Sequence, residues 1–521
     1  MKFIKLTLLT ASVLSFTACT KLEEKLNSDA PYVPGGAAAG NPASLLLAAY
    51  KAQVSPLGDQ ARVWSLETHS TDEVMGPTRG GDWDDNGVWR VIHNHKWDAD
   101  HSWNRETFRE LALAQFAATS VLDNNPSAQQ AAEAKFLRAH AMFWALDLWD
   151  QVPFRPTSSG DLNKSLPENK KGTAAVDFLI GELNAAIPAL PAVRGTGIAS
   201  KDAARALLMK LYLNKGAYGN RKTPTFAAAD MNQVIALADQ ILANPLYSFA
   251  ANYFDNFAPM NHQIGNEIIY TVRFDPATGE GSNANGPNSR YFCTLHYNQN
   301  PSGWNGFTTL GDFYDKFEAG DLRKSQSYTG LTNVSGMKAG FLFGQQYDQN
   351  NVALKDRKGA PLSFTKTALL KETGNNLEVT GIRVIKYIPD YTSSFPANND
   401  LVIFRLSDII LMKAEAILRG GTATTSVGGY GATAVELVNK IRTHATRGAS
   451  ALGSVTLDQL LDERGRELYW EGWRRNDLIR FGKFLAPMWE KSNTSGDERL
   501  LYPIPNDQLT INPNLSQNPG Y

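Results

Sequence analysis

The chain has 521 residues, 43% of them hydrophobic and 20% charged, with a formal net charge of −1. That is ordinary globular composition, long enough for two or three domains or one large one, and it sets up no general field for nucleic acid. The only two cysteines, Cys19 and Cys293, leave no room for a disulfide framework.

The N-terminus reads Met1-Lys2-Phe3-Ile4-Lys5, then an apolar run from Leu6 to Phe16, then Thr17-Ala18-Cys19. Two lysines, a short apolar core and small residues before a cysteine describe a secretion signal of the lipoprotein type, too short to span a membrane. The cleaved chain would start at Cys19 and carry acyl chains there, each buried methylene contributing roughly 0.8 kcal/mol. Cys293 is then alone. Residues 20–43 follow as a tether, charged at Lys21, Glu23, Glu24 and Lys25 and rich in Pro, Gly and Ala from Pro31 to Pro42. No later run of about 20 apolar residues spans a membrane.

Helical periodicity dominates both ends of what remains. Apolar residues recur at helical spacing over 103–123, and Ser127 caps a long run over 128–149 with Ala134, Leu137, Ala141 and Trp144 on one side. Further helical runs cover 173–190, 200–215 and 226–242. Small Ala residues sit at the close-approach positions, the texture of stacked helix pairs, although the exact 34-residue repeat is absent. Over 244–400 the texture changes to Gly, Asn, Pro and aromatics, with β-type runs at 268–272 and 382–387, so long loops with a few short strands are expected. Loops of this length inside a folded domain usually carry function. Helical pattern resumes over 404–419, 432–446 and 456–484.

Five of the eleven tryptophans, Trp64, Trp83, Trp89, Trp97 and Trp103, fall in polar, Gly-containing sequence. Sugars present flat C–H faces that stack on indoles and hydroxyls that need fixed partners, so Trp beside Asp, Asn and Arg suits carbohydrate; rings that pin a long loop to the helices are the alternative. Two metal patterns are weaker. Asp82-x-Asp84-x-Asn86-Gly87 is half of a calcium loop, but His93 stands where a bidentate Glu is needed, and a hydrogen-bonded turn is preferred. His93, His95, Asp98, Asp100 and His101 lie close in sequence but lack helical zinc spacing. No cofactor is expected, calcium being kept as the one alternative. Asp462, Glu463, Glu467 and Glu471 alternate with Arg464, Arg466, Arg474 and Arg475, which reads as a salt-bridge lattice along one helix, Asp462 with Arg466 and Glu471 with Arg475, rather than a glycosidase pair. No Gly-x-Ser-x-Gly elbow or phosphate loop occurs, and Cys293 has no local motif.

Four blocks then resemble the SusD/RagB family of Bacteroidetes outer-membrane lipoproteins. They are Ala134-Lys135-Phe136-Leu137-Arg138-Ala139 with Val152-Pro153-Phe154; Asn399-Asp400 with Arg405-Leu406-Ser407-Asp408 through Ala416; Asp462-Glu463-Arg464-Gly465-Arg466-Glu467-Leu468-Tyr469-Trp470-Glu471-Gly472-Trp473-Arg474-Arg475-Asn476-Asp477; and Tyr502-Pro503-Ile504-Pro505 with Asn518-Pro519-Gly520-Tyr521. The resemblance implies a mainly α fold, a tetratricopeptide-like scaffold of four helical-pair units with a loop-rich, few-stranded ligand-binding part inserted. The implied organisation is a signal peptide at 1–18, lipidated Cys19 and tether at 19–43, and one domain at 44–521. Its scaffold spans about 100–243 and 401–484, and its binding region about 60–100 and 244–400. The resemblance also implies a binding protein without catalysis, anchored to the outer membrane and facing the exterior. Its partner would be a SusC-like TonB-dependent transporter over which it sits as a lid. Glu23-Glu24 loosely fits the family's surface-export signal. The implied ligand is an oligosaccharide, with an oligopeptide as the alternative; a surface glycoside hydrolase and a lid with a vestigial site are the remaining readings. The family's glycan site, an aromatic arc flanked by Asp, Arg and Asn, maps onto Asp72, Arg79, Trp89 and Asn94, with Trp83 as a substitute for Trp89 and with Tyr297 and Trp304 from the middle loops. Cys19→Ala should leave ligand binding by the purified protein intact while impairing ligand uptake by cells; lost binding in solution would contradict this reading of the anchor.

Overall fold

A computed structural model describes residues 40–157, 166–274, 286–393 and 397–521. The signal, Cys19, the tether up to residue 39 and most of the Gly- and Asn-rich run 279–288 lie outside the described residues. The fold is mainly helical, with small sheets of two or three strands. Ten principal helices are labelled here: α1 Pro42–Ala52, α2 Ser102–Leu122, α3 Ala128–Trp149, α4 Gly172–Ala186, α5 Lys201–Gly219, α6 Ala228–Leu242, α7 Leu406–Leu418, α8 Ala434–Arg442, α9 Leu457–Leu468 and α10 Arg474–Arg480. α1 opens at Pro42, inside the stretch read as tether, because Asn41 Oδ1 accepts the amide of Ala43 at 2.9 Å and Pro42 needs no amide partner at a helix start.

Each helix packs on the next. The row runs α1, α2, α3, α4, α5, α6, then jumps to α7 and α8, with α9 also against α7. The jump from residue 242 to residue 406 is the point at which the loop-rich segment leaves the row. Local sequence fixes the helix starts. Ser127 and Gln130 form a reciprocal capping box on α3, Thr433 and Glu436 on α8, and Thr456 and Gln459 on α9, while Ser200 caps α5. α3 is buried on all faces from Ala132 onward except at Lys135, not along one stripe, because α2, α4 and the C-terminal turns enclose it.

One expected helix is two. The run over 456–484 breaks after Leu468, where Trp470 and Gly472 take left-handed backbone angles (φ 61° and 81°). The turn drives Trp470 and Trp473 into the core, and the Trp470 amide donates to the buried Glu73 carboxylate. The charged lattice is therefore not a ladder along one helix. Asp462 pairs with Lys316, and Arg475 reaches Glu67 and Asp147 across the fold. Arg464 bridges Asp408 and Asp477. Glu467 accepts from Arg323, Arg405 and Arg447 at 2.9, 2.6 and 2.8 Å, all four side chains being essentially unexposed.

The loop-rich segment stands on a short stem. Strand β1 (Ile268–Val272) pairs antiparallel with β4 (Leu401–Arg405), fully buried. Between them, β2 (Ala339–Leu342) pairs with β3 (Arg383–Ile385) and with Ser325–Gln326. Thr78–Arg79 forms a parallel pair with Lys371–Glu372, which ties the early Trp-rich loop to the middle segment.

Glu467→Gln removes a charge that three guanidiniums share. Breaking a buried ionic set by removing one member costs about 3–5 kcal/mol, so the unfolding free energy in urea should fall by that order; a loss below about 1 kcal/mol would contradict the role given to Glu467. The same network sets acid stability. Burial alone would raise the Glu463 carboxyl, but Arg323, Arg466 and Arg442 outweigh it and hold it at about 2, against an ordinary 4.5. A carboxylate depressed in the folded state stabilises fully above its unfolded value and loses that contribution as pH falls through its folded value. Between about pH 4.5 and pH 2 the urea midpoint should drop more steeply for the unmodified protein than for Glu463→Gln; parallel curves would overturn the assignment.

Candidate functional site

Three segments meet at an open groove of about 1060 Å³: the turn at 59–62, the loop at 81–89 with the start of α2, and the loop at 297–304. The groove wall is aromatic. Trp83 sits at a left-handed backbone position (φ 60°), and its indole N–H donates to the Trp304 carbonyl at 2.8 Å. Its ring packs 4.8 Å from Phe307 and lies over Gly306, where any Cβ would come within 2.3 Å of the indole. Glycine at 306 is therefore what lets Trp83 lie there. Trp304 stacks on Phe292 with ring centres 5.7 Å apart and planes 21° apart. Tyr297 donates its hydroxyl to Asp82 Oδ2 at 3.3 Å, and Arg357 lies 3.9 Å over its ring. Arg357 is in turn held by Glu378 at 2.6 Å, whose other oxygen meets His296 Nε2 at 2.9 Å.

Trp89 forms the floor. Only 2% of it is exposed, its indole N–H donates to Asp85 Oδ2 at 2.8 Å, and its ring is 4.8 Å from Phe307, 5.0 Å from His69 and 5.6 Å from Trp103. Trp103, in the first turn of α2 behind the cap residue His101, lines the groove half-buried. The polar lining includes Gln60, Arg62, Asp82, Asp85, Asn86 and Ser102. At 59–62 the backbone is turned by Asp59, whose Oδ1 accepts the Ala61 amide at 2.7 Å. Gln60 Oε1 accepts the thiol of the buried Cys293 at 3.1 Å; burial pushes that thiol up, keeping it protonated.

Four of the seven residues singled out from sequence, Trp83, Trp89, Tyr297 and Trp304, thus line one groove. The other three lie elsewhere. Asp72 lines a separate pocket and is gripped by Arg474, Nε to Oδ1 and Nη2 to Oδ2 both at 2.7 Å. Burial would raise its carboxyl, but Arg474 outweighs burial and holds it below the ordinary range. Arg79 is buried and engages backbone: its Nε donates to the Asn305 carbonyl at 3.1 Å, Nη2 to Gly306 at 3.1 Å and Nη1 to Leu377 at 2.9 Å. Arg79 therefore fixes the loop bearing Trp304 from behind. Asn94 ends the short helix Val88–His93 and lines another polar pocket, beside residues 490–499. Trp103, Asp82, Asp85 and Gln60 were not singled out as site residues. Trp103 carried a usable signal, a tryptophan in the first helical turn after a Trp-rich loop; Gln60 carried none.

The patterns read for metals dissolve into structure. Asp84 pairs with Arg90, and Asp85 holds the Trp89 indole. The histidines hold backbone: His93 meets the Trp489 carbonyl, His95 the Ser70 carbonyl and His101 the Val88 carbonyl, at 2.8, 2.7 and 3.1 Å. Among the described residues no group of three or more His, Cys, Asp and Glu side chains is placed to hold a metal ion.

Comparison with known proteins agrees with this architecture. Residues 266–521 match the model of the SusD family. The starch-binding protein SusD of Bacteroides thetaiotaomicron is 27% identical over 441 residues, covering 77% of this chain and 75% of that protein. Among solved structures, a SusD superfamily protein from Parabacteroides distasonis superposes with a TM-score of 0.69 at 18% identity, covering 92% of this chain and 98% of the other. Surface glycan-binding protein A from Bacteroides thetaiotaomicron, solved with laminarihexaose, superposes with a TM-score of 0.67 at 17% identity, covering the same shares. In the helical row, the stemmed insert and the C-terminal blocks that form the charged core, this chain is similar to the SusD/RagB family, whose model its residues 266–521 match.

Proposed function

We propose that this protein binds an oligosaccharide at the cell surface and delivers it to a SusC-like TonB-dependent transporter in the outer membrane. The observation that carries the proposal is the groove itself: Trp83, Trp103, Tyr297 and Trp304 line one open cleft together with carboxylates and amides. Indole and phenol rings stack on the C–H faces of sugars, and fixed carboxylate and amide groups take hydroxyl hydrogen bonds. A relative is named for starch binding, and a structural neighbour was solved with a laminarin hexamer; both support the carbohydrate reading over the oligopeptide one. No chemistry on the glycan is proposed.

Membrane attachment is assigned to Cys19 on the strength of the sequence motif. Among the described residues no helix is long and apolar enough to cross a membrane, so a lipid anchor with the folded part outside the bilayer suits the role. The transporter partner and the outward-facing location are inferred from the likeness to that family.

Calorimetric titration with maltoheptaose, laminarihexaose and a wider oligosaccharide panel, alongside random peptides, tests the proposal. Binding of at least one glycan is expected; peptides binding while every glycan fails would overturn it. Stacking on one ring is worth about 0.5–1.5 kcal/mol, so Trp304→Ala and Tyr297→Ala should each weaken glycan affinity about two- to tenfold. Trp89→Ala should behave differently. As a buried floor residue it should lower unfolding stability by about 3–5 kcal/mol, measured by urea denaturation; unchanged stability would show that its ring is not structural.

A further inference from the structure

We infer that the groove sorts glycans by charge, accepting neutral chains and rejecting those that carry sulfate or carboxylate groups, with Asp82 and Asp85 as the residues that do so. The inference rests on the glycan reading above. The lining holds three carboxylates, Asp59, Asp82 and Asp85, against one guanidinium, Arg62. Arg62 is already engaged: its Nε donates to Glu110 at 2.9 Å and its Nη1 lies 3.9 Å from Asp59. Two cations beside the groove are engaged as well, Arg357 by Glu378 and by the ring of Tyr297, and Arg90 by Asp84.

Asp82 and Asp85 differ. Both are exposed, and among the described residues neither lies within ion-pairing distance of a Lys or Arg nitrogen. Their side chains accept from neutral donors, the Tyr297 hydroxyl at 3.3 Å and the Trp89 indole N–H at 2.8 Å. Each carboxylate therefore keeps spare acceptor capacity facing the cleft. A sugar hydroxyl that donates to either gains a charge-assisted hydrogen bond. A sulfate or uronate brought to the same place loses water, meets two like charges, and finds no unengaged guanidinium to replace the lost hydration. The indole faces add to this, because their quadrupole is negative over the ring. Recognition and rejection thus come from the same two side chains, one by attraction and the other by a built-in repulsion.

The test compares one neutral oligosaccharide that binds with its own 6-O-sulfated and 6-carboxylated derivatives. At low salt each acidic derivative should bind at least about tenfold more weakly than the parent. The gap should narrow at 0.5 M NaCl, because salt screens exposed charges. Asn keeps a carbonyl oxygen for the Tyr297 and Trp89 donors, so D82N and D85N remove charge with little change of shape. Each should narrow the acidic-to-neutral ratio part way, and the double variant should bring it within about threefold of unity, whatever becomes of the parent's own affinity. Acidic derivatives that bind as well as the parent, or a ratio unmoved in the double variant, would overturn the charge filter while leaving glycan binding standing. Failure of every glycan, neutral or acidic, would instead remove the reading on which the filter rests.

Discussion

Glu467 is the residue on which the rest of this fold converges. It is unexposed, lies near the end of α9 and accepts from Arg323, Arg405 and Arg447. Arg405 and Arg447 also bind Glu267, Arg405 and Lys386 bind Glu471, and Arg323 binds Glu463 and Asp321. An isolated buried carboxylate would be costly to desolvate; a set in which every oxygen meets a guanidinium or ammonium is tolerated only when all members arrive together. The members come from segments far apart in the chain. Glu267 precedes the first strand of the stem and Arg405 ends the last, and the two ion-pair at 3.3 Å. Closing the stem and completing the charge network are therefore one event. The insert that carries Tyr297 and Trp304 hangs from that stem, so the geometry of the groove is set partly by an interaction outside its own lining.

A second class of arginine shapes the insert once it is held. Arg79 and Arg383 are buried without an ion-pair partner among the described residues and donate mainly to backbone carbonyls. Both reach Asn305: Arg79 takes its carbonyl at 3.1 Å, and Arg383 Nη2 meets its Oδ1 at 2.8 Å. Burial lowers both guanidiniums, Arg79 to about 10. A guanidinium offers five donors in a fixed plane, so two of them define where the 305–306 backbone runs. In the scaffold arginine neutralises carboxylates; behind the groove it splints a loop. That division explains why the Trp304 loop presents a fixed face for stacking, an arrangement that spares a ligand the cost of ordering it.

The helices were legible in the sequence because their signals are local. Ser127 with Gln130 and Thr456 with Gln459 mark starts that depend on three or four consecutive residues. The break after Leu468 was not, since it comes from Trp470 and Trp473 turning into a core built by distant segments. The charge pattern of 462–475 is ionic, as its alternation suggests, but not a ladder of partners four residues apart: most of its buried partners come from other segments, at separations from 13 residues, Arg464 with Asp477, to 140 and beyond, as with Arg323 and Glu463. The same logic divides the groove residues. Tryptophans in Gly-rich polar sequence declare themselves by composition. The direction of Asp72, Arg79 and Asn94 is decided by loop backbone, and a left-handed residue such as Trp83 re-aims the chain in a way that spacing does not encode.

Two rings of the aromatic wall, Trp83 and Tyr297, have no free polar tip with which to orient a ligand. Trp83 has given its N–H to a carbonyl, and Tyr297 its O–H to Asp82. What these two rings offer is their faces, and face stacking is tolerant of which sugar lies on it and how it is rotated. Discrimination must then come from groups that still have capacity, and in this groove those include the oxygen acceptors of Asp82 and Asp85 and the amides of Gln60 and Asn86. Two of those four carry charge, and the hydrogen bonds that fix them in place come from the same aromatic residues that supply the stacking surface. Affinity and selectivity are therefore coupled at Tyr297 and Trp89: each holds one carboxylate by a donor while its ring helps to build the wall or floor that a glycan meets. On the proposed reading, a glycan would be gripped by faces and judged by carboxylates that those same rings hold in position.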